Sequence, residues 1–275
     1  MKINLPPISL GTAFFKDIDY TLFLSNALKA GYTHLDTANR YLNEKRIGQA
    51  LKDNKVTREN IIITGKIWPP DYKEKRFFKV FNETLNRLDV TYLDILLLHK
   101  PIKDYLKAYE LLISLREKGL VKYIGVSNFN KKQIAQIYEK YHEYPFINQI
   151  ETNLYYYDLE TINDCLAKGI IVEGYSPLLN KNTQKEKLII DLANKYQKEP
   201  SQIILRFIYQ LGVIPVVKSN SFIHLKSNNN IWDFTIGEED MKLIKRLRKK
   251  DVRPLRKILD FFGDRINFHP EKEKI

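Results

Sequence analysis

A single cysteine, Cys165, occurs in the 275 residues. That excludes an intrachain disulfide and any cysteine-based metal cluster, and it suits a reducing compartment. Long apolar runs are also missing. None approaches the ~20 residues that a membrane span needs, and the opening Met-Lys-Ile-Asn-Leu-Pro-Pro has no apolar centre of the signal-peptide kind. A soluble, cytoplasmic protein with no membrane partner is expected. No linker rich in Gly, Pro or Ser divides the chain and no tandem motif repeats, so residues 1–275 are expected to form one domain. Acidic residues are the scarcer charge, 33 against 45 Lys and Arg, for a formal net charge of +12. An excess of this kind attracts polyanions. A lysine-rich surface is the simpler account, and with no nucleic-acid module in view, nucleic acid is not an expected partner.

What is present is a globular balance, 44% hydrophobic and 28% charged, in a chain long enough to bury a large core. Short apolar runs alternate with longer stretches of helical period. Strands are expected at 8–11, 34–36, 61–66, 92–99, 121–126, 146–151, 170–174 and 213–217. Between them, apolar residues recur at helical spacing, as in Tyr20, Phe23, Leu24, Ala27 and Leu28 before Gly31. Strands followed by helices imply parallel pairing buried on both faces. An open dinucleotide-binding sheet usually carries Gly-x-Gly-x-x-Gly in its first turn, but here the first strand leads into Gly11-Thr12-Ala13-Phe14. The expected fold is therefore α/β, a (β/α)8 TIM barrel. Residues 229–275 would add an extra helix at 238–249 and a charged tail.

In such a barrel, chemistry collects at the C-terminal ends of the strands. Reading off those ends gives Asp36 and Tyr41, Lys66, His99, Ser127 and Asn128, Gln149 and Glu151, Tyr175, Lys218 and Ser219. Each has a bland reading as packing or solvated surface, but together they make chemical sense. A free tyrosine, with a pKa near ~10, is a poor acid at neutral pH. An ammonium such as Lys66 favours the phenolate and should lower that value, Asp36 could hold Lys66 charged, and His99 could orient a carbonyl oxygen. The set suits protonation of a developing alkoxide. It contains no hydride, so a cofactor must bring one.

The stretch Gly31-Tyr-Thr-His-Leu-Asp36-Thr-Ala-Asn-Arg-Tyr41-Leu-Asn-Glu44 resembles the first signature of the aldo-keto reductase family. Ile62–Trp68 resembles its catalytic-lysine strand, and residues 85–99 the segment leading to its histidine. Gly125-Val-Ser-Asn-Phe129, Asn148-Gln-Ile-Glu151, Tyr175-Ser-Pro-Leu178 and Val217-Lys-Ser-Asn220 resemble its cofactor-binding stretches, in the family's order. The resemblance implies an NADPH-dependent reductase of aldehydes and ketones, acting on a small-molecule carbonyl substrate without a metal. Carried over by position, Tyr41 is the general acid, Lys66 and Asp36 tune it, and His99 places the carbonyl. Ser127, Asn128 and Gln149 would hold the nicotinamide carboxamide, and Tyr175 would stack on the ring. Ser176 and Leu178 would line the pyrophosphate path, while Lys218, Ser219, Asn220 and His224 would lie near the adenosine 2′-phosphate and Asn228 at the adenine. Gly11 and Thr12 join the same cofactor set. A monomer is expected, with a dimer left open.

Departures from the family pattern shape the remaining expectations. Lys100 stands where a Trp often follows the catalytic histidine, and Ala13 where a Trp often follows Gly-Thr, which points to a wider and more polar pocket. Lys100 has two readings, a cation that attracts acidic carbonyl substrates or a side chain that points to solvent. His224 replaces an Arg, and a neutral imidazole cannot replace a bidentate guanidinium. NADPH preference then rests on Lys218, and NADH is left open. Two alternative functions keep the barrel, an NADP(H)-binding regulatory or structural protein and a Schiff-base aldolase using Lys66.

Overall fold

Parallel strands cannot be joined by a tight turn. Each pair needs a crossover of a dozen or more residues, usually a helix, and the spacing of apolar runs in this chain allows that length every time. The computed structural model describes residues 3–13, 15, 18–178 and 182–249. Its strands are β1 (Ser9–Gly11), β2 (His34–Asp36), β3 (Ile62–Ile67), β4 (Leu93–Leu98), β5 (Val121–Ser127), β6 (Ile147–Glu151), β7 (Ile171–Tyr175) and β8 (Val213–Val217). They pair in chain order, all parallel, and β8 returns to β1 to close the barrel. Closure leaves no edge strand exposed. The expected α/β barrel is what forms, with strand ends shifted by at most one residue. His99, expected inside the fourth strand, lies just past it, and its N–H still donates to Ile67 O at 3.0 Å.

The helices are α1 (Tyr20–Lys29), α2 (Glu44–Asp53), α3 (Glu74–Leu88), α4 (Tyr105–Glu117), α5 (Lys131–Tyr141), α6 (Leu159–Ala167), α7 (Lys187–Tyr196), α8 (Pro200–Gln210), α9 (Phe222–Asn228) and α10 (Glu238–Arg246). The expected extra helix is α10, which stops at Arg246 instead of 249. The short α9 has no counterpart in the sequence reading. Only Leu225 and Asn228 of its residues are buried, whereas Phe222 and Ile223 are exposed, so it carries no apolar stripe to read. The tail from residue 250 onward lies outside the described residues.

Most of the core lies between barrel and helices. Leu10, Leu35, Ile63, Leu96 and Val126 project outward from the strands onto helix residues such as Phe23, Phe77, Leu112 and Ile134. Because side chains alternate across a strand, the intervening residues fill the interior. Ile95, Leu97 and Ile147 form a separate apolar cluster there, with Ile62, Tyr123 and Ile171 packed against it. Many of the other interior positions, among them Ser9, His34, Thr64, Gln149 and Glu173, are polar and lead up to the site. One helix contact bears directly on it. Glu44, in the first turn of α2, accepts from Thr84 Oγ1 at 3.1 Å and Arg87 Nε at 2.8 Å, both on α3. That clamp fixes the start of α2 directly after the loop that carries Tyr41.

Candidate active site

Asp36 ends β2, and the chain then bends through a single turn of 3-10 helix, Asn39–Tyr41, before α2. Several bonds hold the bend. Thr12 donates to Asp36 O from both its N–H and its hydroxyl, each at 3.0 Å. Thr37 N–H donates to Thr64 O at 2.9 Å, and Asn43 Nδ2 donates to Thr12 O at 2.6 Å. Tyr41 is thereby delivered over the end of β3, where Lys66 sits one residue before the strand finishes.

Lys66 Nζ lies 2.6 and 2.5 Å from the two carboxylate oxygens of Asp36 and 3.2 Å from the Tyr41 hydroxyl. The ammonium is fully buried and survives only because it is paired. Burial works to lower its pKa, but Asp36 and Tyr41 more than offset that, and the net direction is up. Tyr41 departs from expectation. Burial pushes the phenol's pKa up, Lys66 pulls it down, and Asp36 adds a smaller upward push, so the net direction is up. The ammonium acts as anticipated, but desolvation outweighs it and the phenol keeps its proton.

His99 faces the same group, its ring centroid 6.1 Å from that of Tyr41 and 4.9 Å from that of Trp68, edge-on in both cases. Burial, then the charges of Lys66, Lys100 and Arg40, hold its pKa well below the ordinary 6.5. The imidazole is neutral at pH 7. Among the described residues, His99 Nδ1 and Trp68 Nε1 are buried without a hydrogen-bond partner. Lys100 does not extend straight to solvent. It is half-buried, with Nζ 5.0 Å from the Trp68 ring centroid.

The ends of β5, β6 and β7 bring four more residues together. Ser127 Oγ donates to Gln149 O at 2.9 Å, Asn128 Nδ2 donates to His99 O at 3.1 Å, and Tyr175 OH donates to Asn128 Oδ1 at 2.8 Å. Gln149 Nε2 donates to Asp36 Oδ2 at 2.7 Å and Glu173 Oε2 at 2.9 Å. Two acceptors on one side fix the amide's orientation and leave Oε1 to accept from a ligand. Asn128 and Ser176 hold left-handed backbone, φ 66° and 57°. Asn tolerates that region better than Ser.

Most of the remaining named residues lie along the β8–β1 side. Gly11 and Thr12 are buried, Thr12 with its hydroxyl spent on Asp36 O. Lys218 is exposed, and Nζ donates to Ala13 O at 2.8 Å beside the Phe15 ring. Ser219 Oγ accepts from Ser221 N–H at 3.1 Å ahead of α9. His224 and Asn220 are exposed, Asn228 is buried, and Leu178 packs on the core. Glu151 is buried and accepts from Asn153.

Beneath the site lies a polar layer that is not among the expected strand-end residues. Ser9 Oγ lies 2.8 Å from His34 Nδ1 and donates to Glu173 Oε1 at 2.7 Å, while His34 Nε2 lies 2.8 Å from Thr64 Oγ1. Ser9, His34, Thr64 and Glu173 stand two residues before Gly11, Asp36, Lys66 and Tyr175. Strand alternation alone would have placed each on the same interior face. Arg40, directly before Tyr41, is likewise not among the expected site residues.

Residues 7–249 match the model of the Aldo/keto reductase family. Aldehyde reductase YPR1 of Saccharomyces cerevisiae is 33% identical over 94% of this chain and 93% of its own length. Methylglyoxal reductase DkgA of Escherichia coli is 32% identical over 88% of this chain and 90% of its own. The crystal structure of a Bombyx mori aldo-keto reductase in complex with NADP superposes with a TM-score of 0.81 at 30% identity, covering 90% of this chain and 92% of that one. The chain belongs to the aldo/keto reductase family.

Proposed function

We propose that the protein reduces aldehydes and ketones to alcohols with NADPH, and that Tyr41 is the proton donor. One observation carries the reading: Lys66 Nζ contacts Asp36 and the Tyr41 hydroxyl at once, with a neutral His99 alongside, at the C-terminal mouth of a barrel. The donor set suits the cofactor. Ser127, Asn128 and the free Oε1 of Gln149 offer complementary groups to a carboxamide, and Tyr175 offers a ring to a flat heterocycle. When bound, NADPH supplies the hydride that the carbonyl carbon receives.

The chain's own part is proton control and placement. Tyr41 gives its proton to the carbonyl oxygen, and Lys66, kept charged by Asp36, stabilises the phenolate left behind. His99 stays neutral, so it can hold the carbonyl oxygen by a hydrogen bond without acting as the acid. The same pairing argues against a Schiff-base aldolase, because an ammonium with a raised pKa is not a nucleophile.

Relatives named as aldehyde and methylglyoxal reductases support small carbonyl compounds as substrates. Replacing Tyr41 by Phe is expected to cost about 10²–10⁴-fold in kcat with NADPH binding retained; an unchanged rate across a panel of aldehydes would sink the assignment. For the cofactor, Lys218 would meet the 2′-phosphate, with Ser219, Asn220 and His224 nearby and Ser176, Leu178 and Asn228 along the rest of its length. Lys218→Ala should weaken NADPH more than NADH in a fluorescence titration, and equal losses would remove that contact.

A further inference from the structure

The amide of Gln149 can meet a carboxamide through Oε1 only if its plane and its direction are both fixed. The last torsion of a glutamine is soft, so a single contact leaves the amide free to swing. Here Nε2 has two acceptors, Asp36 Oδ2 at 2.7 Å and Glu173 Oε2 at 2.9 Å. With both amide hydrogens taken the plane is set, and a flipped amide would press Oε1 against two carboxyl oxygens. Lys66 holds Asp36 in place. Glu173, on β7, is the other half of the clamp.

Glu173 is itself held from three other strands. Ser9 Oγ on β1 donates to Glu173 Oε1 at 2.7 Å and lies 2.8 Å from His34 Nδ1 on β2, whose Nε2 lies 2.8 Å from Thr64 Oγ1 on β3. Ser9 has one hydroxyl hydrogen, given to Glu173, so His34 donates to Ser9 from Nδ1 and accepts from Thr64 at Nε2. All four side chains are fully buried. An apolar layer would fill the same space without the cost of desolvating a carboxyl group. The layer directly beneath is of that kind, with Ile62, Ile147 and Ile171 two residues before Thr64, Gln149 and Glu173. The polar side chains stand where the site rests on them.

We infer that Glu173 is a positioning residue for the nicotinamide: acting through Gln149, it keeps Oε1 turned toward the carboxamide N–H and so sets how the ring lies in the site. The clamp needs an acceptor at this position and no charge. A neutral amide in place of the carboxyl would serve, its oxygen accepting from Gln149 and its nitrogen donating to Ser9, whose hydroxyl would then turn to His34. This assignment rests on the proposed cofactor and adds to it the residue that orients one of its holders.

The test measures binding by calorimetry for NADP+ and its 3-acetylpyridine analogue, in which a methyl replaces the carboxamide NH2. The wild type should bind NADP+ more tightly by about tenfold, the scale of one hydrogen bond. Glu173→Met should abolish that preference and Glu173→Gln should keep it. Neither should change the affinity for 2′-phospho-ADP-ribose, which lacks the nicotinamide. Gln149→Met should abolish the preference by itself, and adding Glu173→Met should then change nothing more. Ser9→Ala, which releases Glu173 Oε1, should narrow the preference partway and serves as the test if the Met variant does not fold. A wild type without the preference, a preference unmoved in Glu173→Met or in Ser9→Ala, an equal loss of 2′-phospho-ADP-ribose, or a Glu173 effect that persists without Gln149 overturns the role. If the preference depends on Glu173 and yet no carbonyl compound is turned over with NADPH, the positioning role stands and the reductase reading falls.

Discussion

Tyr41 holds its proton more tightly than a free tyrosine does. Burial is the larger influence and Lys66 the smaller, opposing one, so the phenol stays loaded through neutral pH and beyond its ordinary value of 10.0. His99 has the reverse bias and loses its proton well below 6.5. Together they predict a flat kcat for carbonyl reduction from about pH 6 to 9, falling only as Tyr41 ionises in strong alkali. A steady-state profile with saturating NADPH checks this. A rate that climbs as pH drops through 6.5 would make the imidazolium the acid and displace Tyr41.

Among the elements, α2 and α3 decide how firmly the Tyr41 loop is held. They approach at Gly48, where a Cβ would lie 2.6 Å from Arg87 O and 2.7 Å from Leu88 O. These are backbone atoms at the end of α3 and cannot swing aside as a side chain can. Gly48→Ala should therefore destabilise by about 1–3 kcal/mol, even though alanine favours a helix over glycine by about 1 kcal/mol. Urea unfolding followed by circular dichroism would reveal it as a lower midpoint. An unchanged midpoint would mean the two helices separate at little cost.

For the molecule as a whole, the barrel interior sets the response to acid. His34 is fully buried, and burial lowers its pKa from 6.5 to about 4 despite the carboxylates of Asp36 and Asp94. A folded pKa below the unfolded one means that the unfolded chain binds more protons. The contribution is complete above 6.5 and is lost as pH falls through 4, up to ~3 kcal/mol. Glu173 works in the other sense, since burial raises its pKa and its contribution fades as pH rises through the folded value. His34→Gln should flatten the loss of unfolding free energy between pH 6.5 and 4, measured in urea, whatever it costs at pH 7. The same slope in both proteins would rule His34 out as the source.

The alternation of strands and helices was legible in the sequence because hydrophobic period and segment length are local properties. So were Asp36, Tyr41, Lys66 and His99 as strand-end residues, since the order of motifs along the chain already places them at one end of a barrel. Other features depend on residues far apart in sequence. Ser9 and Glu173 are 164 positions apart, and Gln149 and Asp36 are 113 apart, so only closure of the barrel joins them. The direction of the Tyr41 shift likewise came from tertiary structure, because charge type is visible in a sequence while desolvation is not. So did the places of Arg40 and Lys100 against the Trp68 ring.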